Sequence, residues 1–236
     1  MLTSLKSLLG YRLHARDGYI GRVHDFHFDN ATWQVRHLGG ITHVHLPWSK
    51  VLIARELLGA PDWVDRAIAV HQSRDEIRQD PRIGTDPPLY REMERGEQNF
   101  AEIAPHWTPL SGIPLPQWPL RSPRPVELRS LRHLTGYSVE SSTGERVGRV
   151  ADFVADDEEW HIRLLVVDMD HAGMKRDVAI DIDTVSEILF EARTIRLTVD
   201  SAFLHDAPHY NPIRLRDPHF AEEFLARVSP HSHAEK

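Results

Sequence analysis

Histidine is the residue type here most able to do chemistry, with 16 in 236 residues. His43-x-His45 on a strand would put two imidazoles on one face, because strand side chains alternate. His24-x-x-His27 would not share a face in that way. A zinc site needs three or four convergent ligands, so His43 and His45 would need Asp25 or Asp29 from a neighbouring strand. The competing reading is surface histidine. The run Asp156-Asp157-Glu158-Glu159 reads as a solvated hairpin tip, since its spacing matches no calcium loop. Gly10, Gly18 and Gly21 make no phosphate loop, because no Gly-Lys-Ser/Thr follows them. A Gly-x-Ser-x-Gly elbow is missing, and so is cysteine. These observations assign no catalytic residue and no cofactor, and the expectation is a protein that is not an enzyme.

The elements that must position these residues come in two copies. Ser4-Leu5-Lys6-Ser7-Leu8-Leu9-Gly10-Tyr11 aligns with Ser130-Leu131-Arg132-His133-Leu134-Thr135-Gly136-Tyr137. After one extra residue in the second copy, Gly21-Arg22-Val23-His24-Asp25-Phe26 aligns with Gly148-Arg149-Val150-Ala151-Asp152-Phe153. Asp29 then meets Asp156, Trp33 meets Trp160, and Arg36 meets Arg163. One register held this long marks a duplication. The histidines at 24, 27, 43 and 45 have no histidine counterparts in the second copy, which weighs against a metal site. Asp25 with Asp152, and Asp29 with Asp156, recur. Recurrence points to a structural task such as capping turn amides, with Arg36 and Arg163 as cross-strand partners. Trp33 and Trp160 read as buried aromatic core; exposed, the pair would mark a docking face.

Each copy reads as β, with short segments rich in β-branched and aromatic residues between Gly, Asp and Asn. In the first copy the strands are expected at 11–15, 21–28, 33–39, 51–54 and 67–71, with Asp17-Gly18 as a hairpin turn. The first copy departs from the pattern at Gly39–His43, opposite Val166–Asp170 of the second, so a modified strand or edge is expected there in the first. Short helices should follow each copy, opened by the capping box Ser73-Arg74-Asp75-Glu76 and by Asp217-Pro218. A further amphipathic stretch runs from Leu89 to Ile103. Seven prolines fall within 105–125, together with Trp107 and Trp118. That stretch is an extended connector, expected to pack on the barrels, with partner docking as the alternative. The domain reading is 1–104, connector 105–125, and 126–236.

Lys and Arg number 28 against 35 Asp and Glu, a net charge of −7. The excess is in the second copy: residues 126–236 hold 21 acidic and 13 basic residues, whereas residues 1–100 are balanced. An acidic half repels phosphate backbones, so nucleic acid is not the favoured partner, and a basic protein surface would suit it. No apolar run approaches a membrane span. Met1–Gly10 is broken by Thr3, Ser4, Lys6 and Ser7 and reads as structure, so the expected compartment is the cytoplasm.

The ordered pattern Ser-Leu-(Lys/Arg)-x-Leu-x-Gly-Tyr, Gly-Arg-Val-x-Asp-Phe, Asp-x-x-x-Trp-x-x-Arg-x-Leu resembles the PRC-barrel domain, in both copies, over roughly 4–82 and 130–210. That domain occurs in the H subunit of bacterial photosynthetic reaction centres, in a ribosome maturation factor and in many small bacterial proteins. The resemblance implies a mainly β fold of two tandem small antiparallel PRC-like β-barrels with short flanking helices. It also implies a non-catalytic binding and assembly module that docks on a protein partner, and barrel edges make a homodimer plausible. The alternatives are a metal- or small-ligand-binding sensor and an uncharacterised enzyme. The positions repeated in both copies are Gly10, Tyr11, Gly21, Asp25, Phe26 and Trp33, and Gly136, Tyr137, Gly148, Asp152, Phe153 and Trp160.

Overall fold

The computed structural model describes residues 1–42, 49–79, 128–171 and 174–228. The chain is mainly β, in two seven-stranded sheets. The first repeat runs β1 (Leu2–Ser4), α1 (Leu5–Leu8), β2 (Arg12–Ala15), β3 (Gly18–Asp29), β4 (Gln34–Thr42), β5 (Ser49–Ala54), β6 (Leu58–Asp62), β7 (Ala67–Val70) and α2 (Arg74–Gln79). The second repeat has the same order: β8 (Leu128–Ser130), α3 (Leu131–Leu134), β9 (Ser138–Glu140), β10 (Arg146–Asp156), β11 (Ile162–His171), β12 (Met174–Asp181), β13 (Val185–Leu189), β14 (Thr194–Leu197) and α4 (Ser201–Asp206). A last helix, α5 (Pro218–Val228), follows.

Both sheets are open paths among the described residues, β5-β4-β3-β2-β7-β6 and β12-β11-β10-β9-β14-β13. The expected all-antiparallel barrel is corrected in one respect. β2 lies parallel to β7, and β9 parallel to β14. The closing hairpin of each repeat returns beside that repeat's second strand running in the same direction. The expected modification near Gly39 is a narrowing rather than a break. β4 pairs with β5 through Gly39↔Leu52 and Gly40↔Val51. A Cβ on Gly40 would lie 2.8 Å from Leu13 Cδ1, so a larger residue there would push on the Leu13 side chain.

Local chemistry sets the helix starts as the sequence indicates. At α2 the Ser73 amide donates to Glu76 Oε2 at 2.6 Å and the Glu76 amide to Ser73 Oγ at 3.2 Å, a reciprocal capping box. At α5, Asp217 Oδ1 accepts from the His219 amide at 3.0 Å. The stretch 89–103 and the connector 105–125 lie outside the described residues, and so does the expectation that the connector packs.

The principal hydrophobic core is shared. Phe26, Phe28, Leu38 and Ile53 of the first repeat are buried in one cluster with Phe153, Leu165, Val167 and Ile180 of the second. A smaller cluster forms where α5 covers the other face of the second sheet, with Phe224 and Val228 against Val154, Leu164 and Val166.

Candidate functional site: exchanged hooks and their sockets

The first strand of each repeat is donated to the other repeat's sheet. β1 pairs with β10 through Leu2↔Asp156, Thr3↔Ala155 and Ser4↔Val154. β8 pairs with β3 through Leu128↔Asp29, Arg129↔Phe28 and Ser130↔His27. The strand and the single helical turn after it form a hook, and the facing strand of the other repeat forms its socket.

The hook ends in a serine cap. Ser4 Oγ accepts the Ser7 amide at 2.9 Å, and Ser130 Oγ accepts the His133 amide at 3.1 Å. The same hydroxyls donate to a buried carboxylate across the seam: Ser4 to Asp152 Oδ2, and Ser130 to Asp25 Oδ2 at 2.5 Å. Two residues further along each hook a main-chain amide joins, Lys6 to Asp152 Oδ1 at 3.0 Å and Arg132 to Asp25 Oδ1 at 3.2 Å. Each carboxylate also accepts the next amide of its own strand, from Phe153 at 2.7 Å and from Phe26 at 2.8 Å. A β-bulge at His24 and at Ala151, the variable position of Gly-Arg-Val-x-Asp-Phe, shifts the register just before each Asp. The carboxylates are 2% and 4% exposed, so the donors offset a desolvation cost of several kcal/mol per ion, on the order given for buried charges.

The sockets differ at one point. Tyr210 OH, from the segment after α4, donates to Asp152 Oδ2 at 3.2 Å. Burial pushes the Asp152 carboxyl above the usual carboxylate range, against the pull of the donors from Ser4, Lys6, Phe153 and Tyr210. Burial, and then the Asp152 charge, push the Tyr210 phenol far above its ordinary value. Beside Asp25, His27 Nε2 stands 3.9 Å from Oδ2.

The second part of the seam is a pair of crossed turns. Trp33 and Trp160 sit at left-handed φ of 55° and 56°. That conformation is rare for a bulky residue and is held by tertiary contacts. The Val35 amide donates to the Trp160 carbonyl and the Ile162 amide to the Trp33 carbonyl, both at 2.9 Å. The Trp33 ring stacks on Phe28 at 5.6 Å and lies 6.4 Å from Phe153; Trp160 stacks on Phe26 at 5.8 Å. Trp160 is buried and Trp33 is half-buried against the shared core. Gln34 Nε2 donates to the Glu159 carbonyl at 2.6 Å, and Arg55 Nη1 to the same oxygen at 2.7 Å.

The remaining candidates fall around this seam. Asp29 Oδ1 caps the Ala31 amide at 2.9 Å, and Asp156 Oδ1 caps Glu158 and Glu159 at 2.9 and 3.0 Å. Arg36 reaches Asp29 at 3.5 Å, whereas Arg163 reaches Glu159 at 3.7 Å rather than Asp156. Gly10 and Gly136 follow the hooks at φ of 82° and 88°. Gly21 and Gly148 allow adjacent strands to close, since a Cβ would lie 2.1 Å from Ile41 O and 2.5 Å from Asp168 O. Tyr11 and Tyr137 are buried beside them. His43 and His45 lie outside the described residues. Among the described residues no three His, Asp or Glu side chains converge as a metal site would need.

Sequence reasoning missed Ser4, Ser130, Tyr210, Gln34 and Arg55. The two serines carried a signal, since they are identical in the repeat and stand three residues before the amides they cap. Tyr210, Gln34 and Arg55 make contacts found in one repeat only, so self-comparison offered no sign of them.

Residues 127–204 match the model of the PRC-barrel domain. The match runs from the second hook to α4, and so includes a strand that lies in the first repeat's sheet. A search of curated proteins gives no match. Among the described residues, no helix is long and apolar enough to cross a membrane.

Proposed function

We propose that the protein is a tandem PRC-barrel, non-catalytic assembly module that docks on a protein partner and works in the cytoplasm. The observation that carries this reading is the PRC-barrel match over 127–204. The first repeat, with the same element order and the same hook, is the second PRC unit. The repeated polar residues support a structural role, because Asp25 and Asp152 are engaged by hook donors rather than turned toward an open cleft.

The acidic second repeat is the docking side. A cavity of about 430 Å³ beside α5 is lined by four acidic residues, Asp156, Asp181, Asp183 and Glu222, against one arginine, Arg163, with Leu2 and Leu225 as apolar lining. A basic protein surface complements it. The test compares the full chain with an Asp183→Lys/Glu222→Lys variant as bait, at low and moderate salt. A basic protein retained by the first, released by salt and lost from the variant, is the expected result. No protein that distinguishes the two baits would overturn the reading.

A further inference from the structure

Two large apolar side chains stand well out of the fold. Val64 is 94% exposed in the turn between β6 and β7, and Ile213 is 71% exposed in the segment between α4 and α5. Local hydrogen bonds hold both in place. Asp62 Oδ1 accepts the Val64 and Asp65 amides, each at 2.9 Å, and Asn211 Oδ1 accepts the Ile213 and Arg214 amides at 3.0 and 3.2 Å. The two turns meet through their neighbours, since the Arg216 guanidinium lies 3.8 Å over the ring of half-buried Trp63. Arginines flank this surface. Trp63 stands edge-on to Tyr11 at 5.8 Å, and Arg66 lies 5.3 Å over the Tyr11 ring. Arg12 Nη2 donates to the Asp65 carbonyl at 2.7 Å. Among the described residues, Arg12, Arg66 and Arg216 meet carbonyl oxygen and aromatic rings and form no ion pair with a carboxylate.

The second repeat shows that this turn has no need of an apolar tip. Its turn between β13 and β14 has the same left-handed arginine, φ 49° at Arg193 against 50° at Arg66. Where the first repeat has Val64, that turn carries exposed Glu191. We propose that the surface around Trp63, Val64 and Ile213 docks an acidic protein segment with large apolar side chains. Its apolar groups cover Val64 and Ile213, and its carboxylates meet Arg12, Arg66 and Arg216. Tryptophan and arginine are the side chains that protein interfaces concentrate. Asp65 stands among the arginines, so a continuous run of phosphates would meet a like charge there, whereas a protein segment can place its carboxylates to either side. This is a second docking surface, independent of the acidic cavity beside α5, which Val64 and Ile213 do not line.

The probe is a fluorescein-labelled helical peptide of about twelve residues, built of Glu and Leu and titrated with the full chain by fluorescence anisotropy at low salt. Val64→Glu installs the second repeat's residue, so the turn should survive it, which an unchanged melting temperature would verify. Ile213→Ser removes the apolar group from the other turn. We expect saturable binding to the natural chain, weakened at least about fivefold by either variant. A peptide with Ser in place of Leu should not bind. Equal binding by the natural chain and both variants, or no binding up to about 1 millimolar, would overturn the proposal. So would anionic lipid vesicles or a thymidine oligonucleotide held by the natural chain and released by Val64→Glu while the peptide is not held, since the surface would then fit a membrane or a nucleic acid. Should Val64→Glu lower the melting temperature, Ile213→Ser decides alone.

Discussion

Ser4 uses one hydroxyl twice, accepting the Ser7 amide and donating to Asp152, and Ser130 repeats the arrangement toward His133 and Asp25. Ser4→Ala or Ser130→Ala therefore removes a helix cap and a donor to a buried carboxylate together. Each should cost about 2–3 kcal/mol in urea denaturation. A loss below about 0.5 kcal/mol would mean that the seam is held by packing alone. Asp152 adds a dependence on pH. Burial raises its folded pKa above the unfolded one, so the fold binds that proton more tightly. The resulting stability is fully present below the unfolded carboxylate value and is lost as pH rises through the folded value. The stability difference between the natural chain and Asp152→Asn should therefore shrink as pH rises above the ordinary carboxylate range. A difference that widens over that range would place the folded value below the unfolded one.

At the scale of elements, much of the fold was legible. The strands at 21–28 and 51–54, the capping box at Ser73 and the Asp217-Pro218 start all follow from side-chain period and local hydrogen bonding. What could not be read was where β1 and β8 belong. Both hooks have nearly the same sequence and both sockets the same Asp, so the pattern fits a strand kept at home as well as one exchanged. Only long-range packing decides between them. The edge strand β6 was also missed, because Gly59 and Pro61 dilute its β pattern. The turns hold a second measurable feature. Arg193 sits at φ 49° and is exposed. The left-handed conformation costs a non-glycine residue about 1–2 kcal/mol, partly offset by the entropy that glycine loses on folding. Arg193→Gly should thus raise stability by about 0.5 kcal/mol, visible as a higher melting temperature. A fall of about 1 kcal/mol or more would show that the arginine side chain contributes more than the strain removes.

For the whole molecule, the two repeats share one core and each completes the other's sheet. Neither can lose its fold without uncapping a buried carboxylate in its neighbour. Unfolding in urea should be a single transition, with tryptophan fluorescence and far-ultraviolet dichroism coinciding. Two separated transitions would show that the seam contributes little to either half. Charge adds a second property at this scale. The acidic excess sits in the second repeat, so weak association with basic surfaces should fall as salt rises.

The donated strands also impose an order on biosynthesis. Asp25 leaves the ribosome early, but Ser130, the hydroxyl that satisfies it, is 105 residues further along. Its sheet must wait through that interval of translation with the carboxylate uncapped and β3 short of a neighbour. The second socket waits less, since Ser4 has already been made when Asp152 appears and Tyr210 follows 58 residues later. The first half of this protein thus waits longest between its own synthesis and its completion, and its nascent form is where a chaperone would find the longest-lived exposed edge.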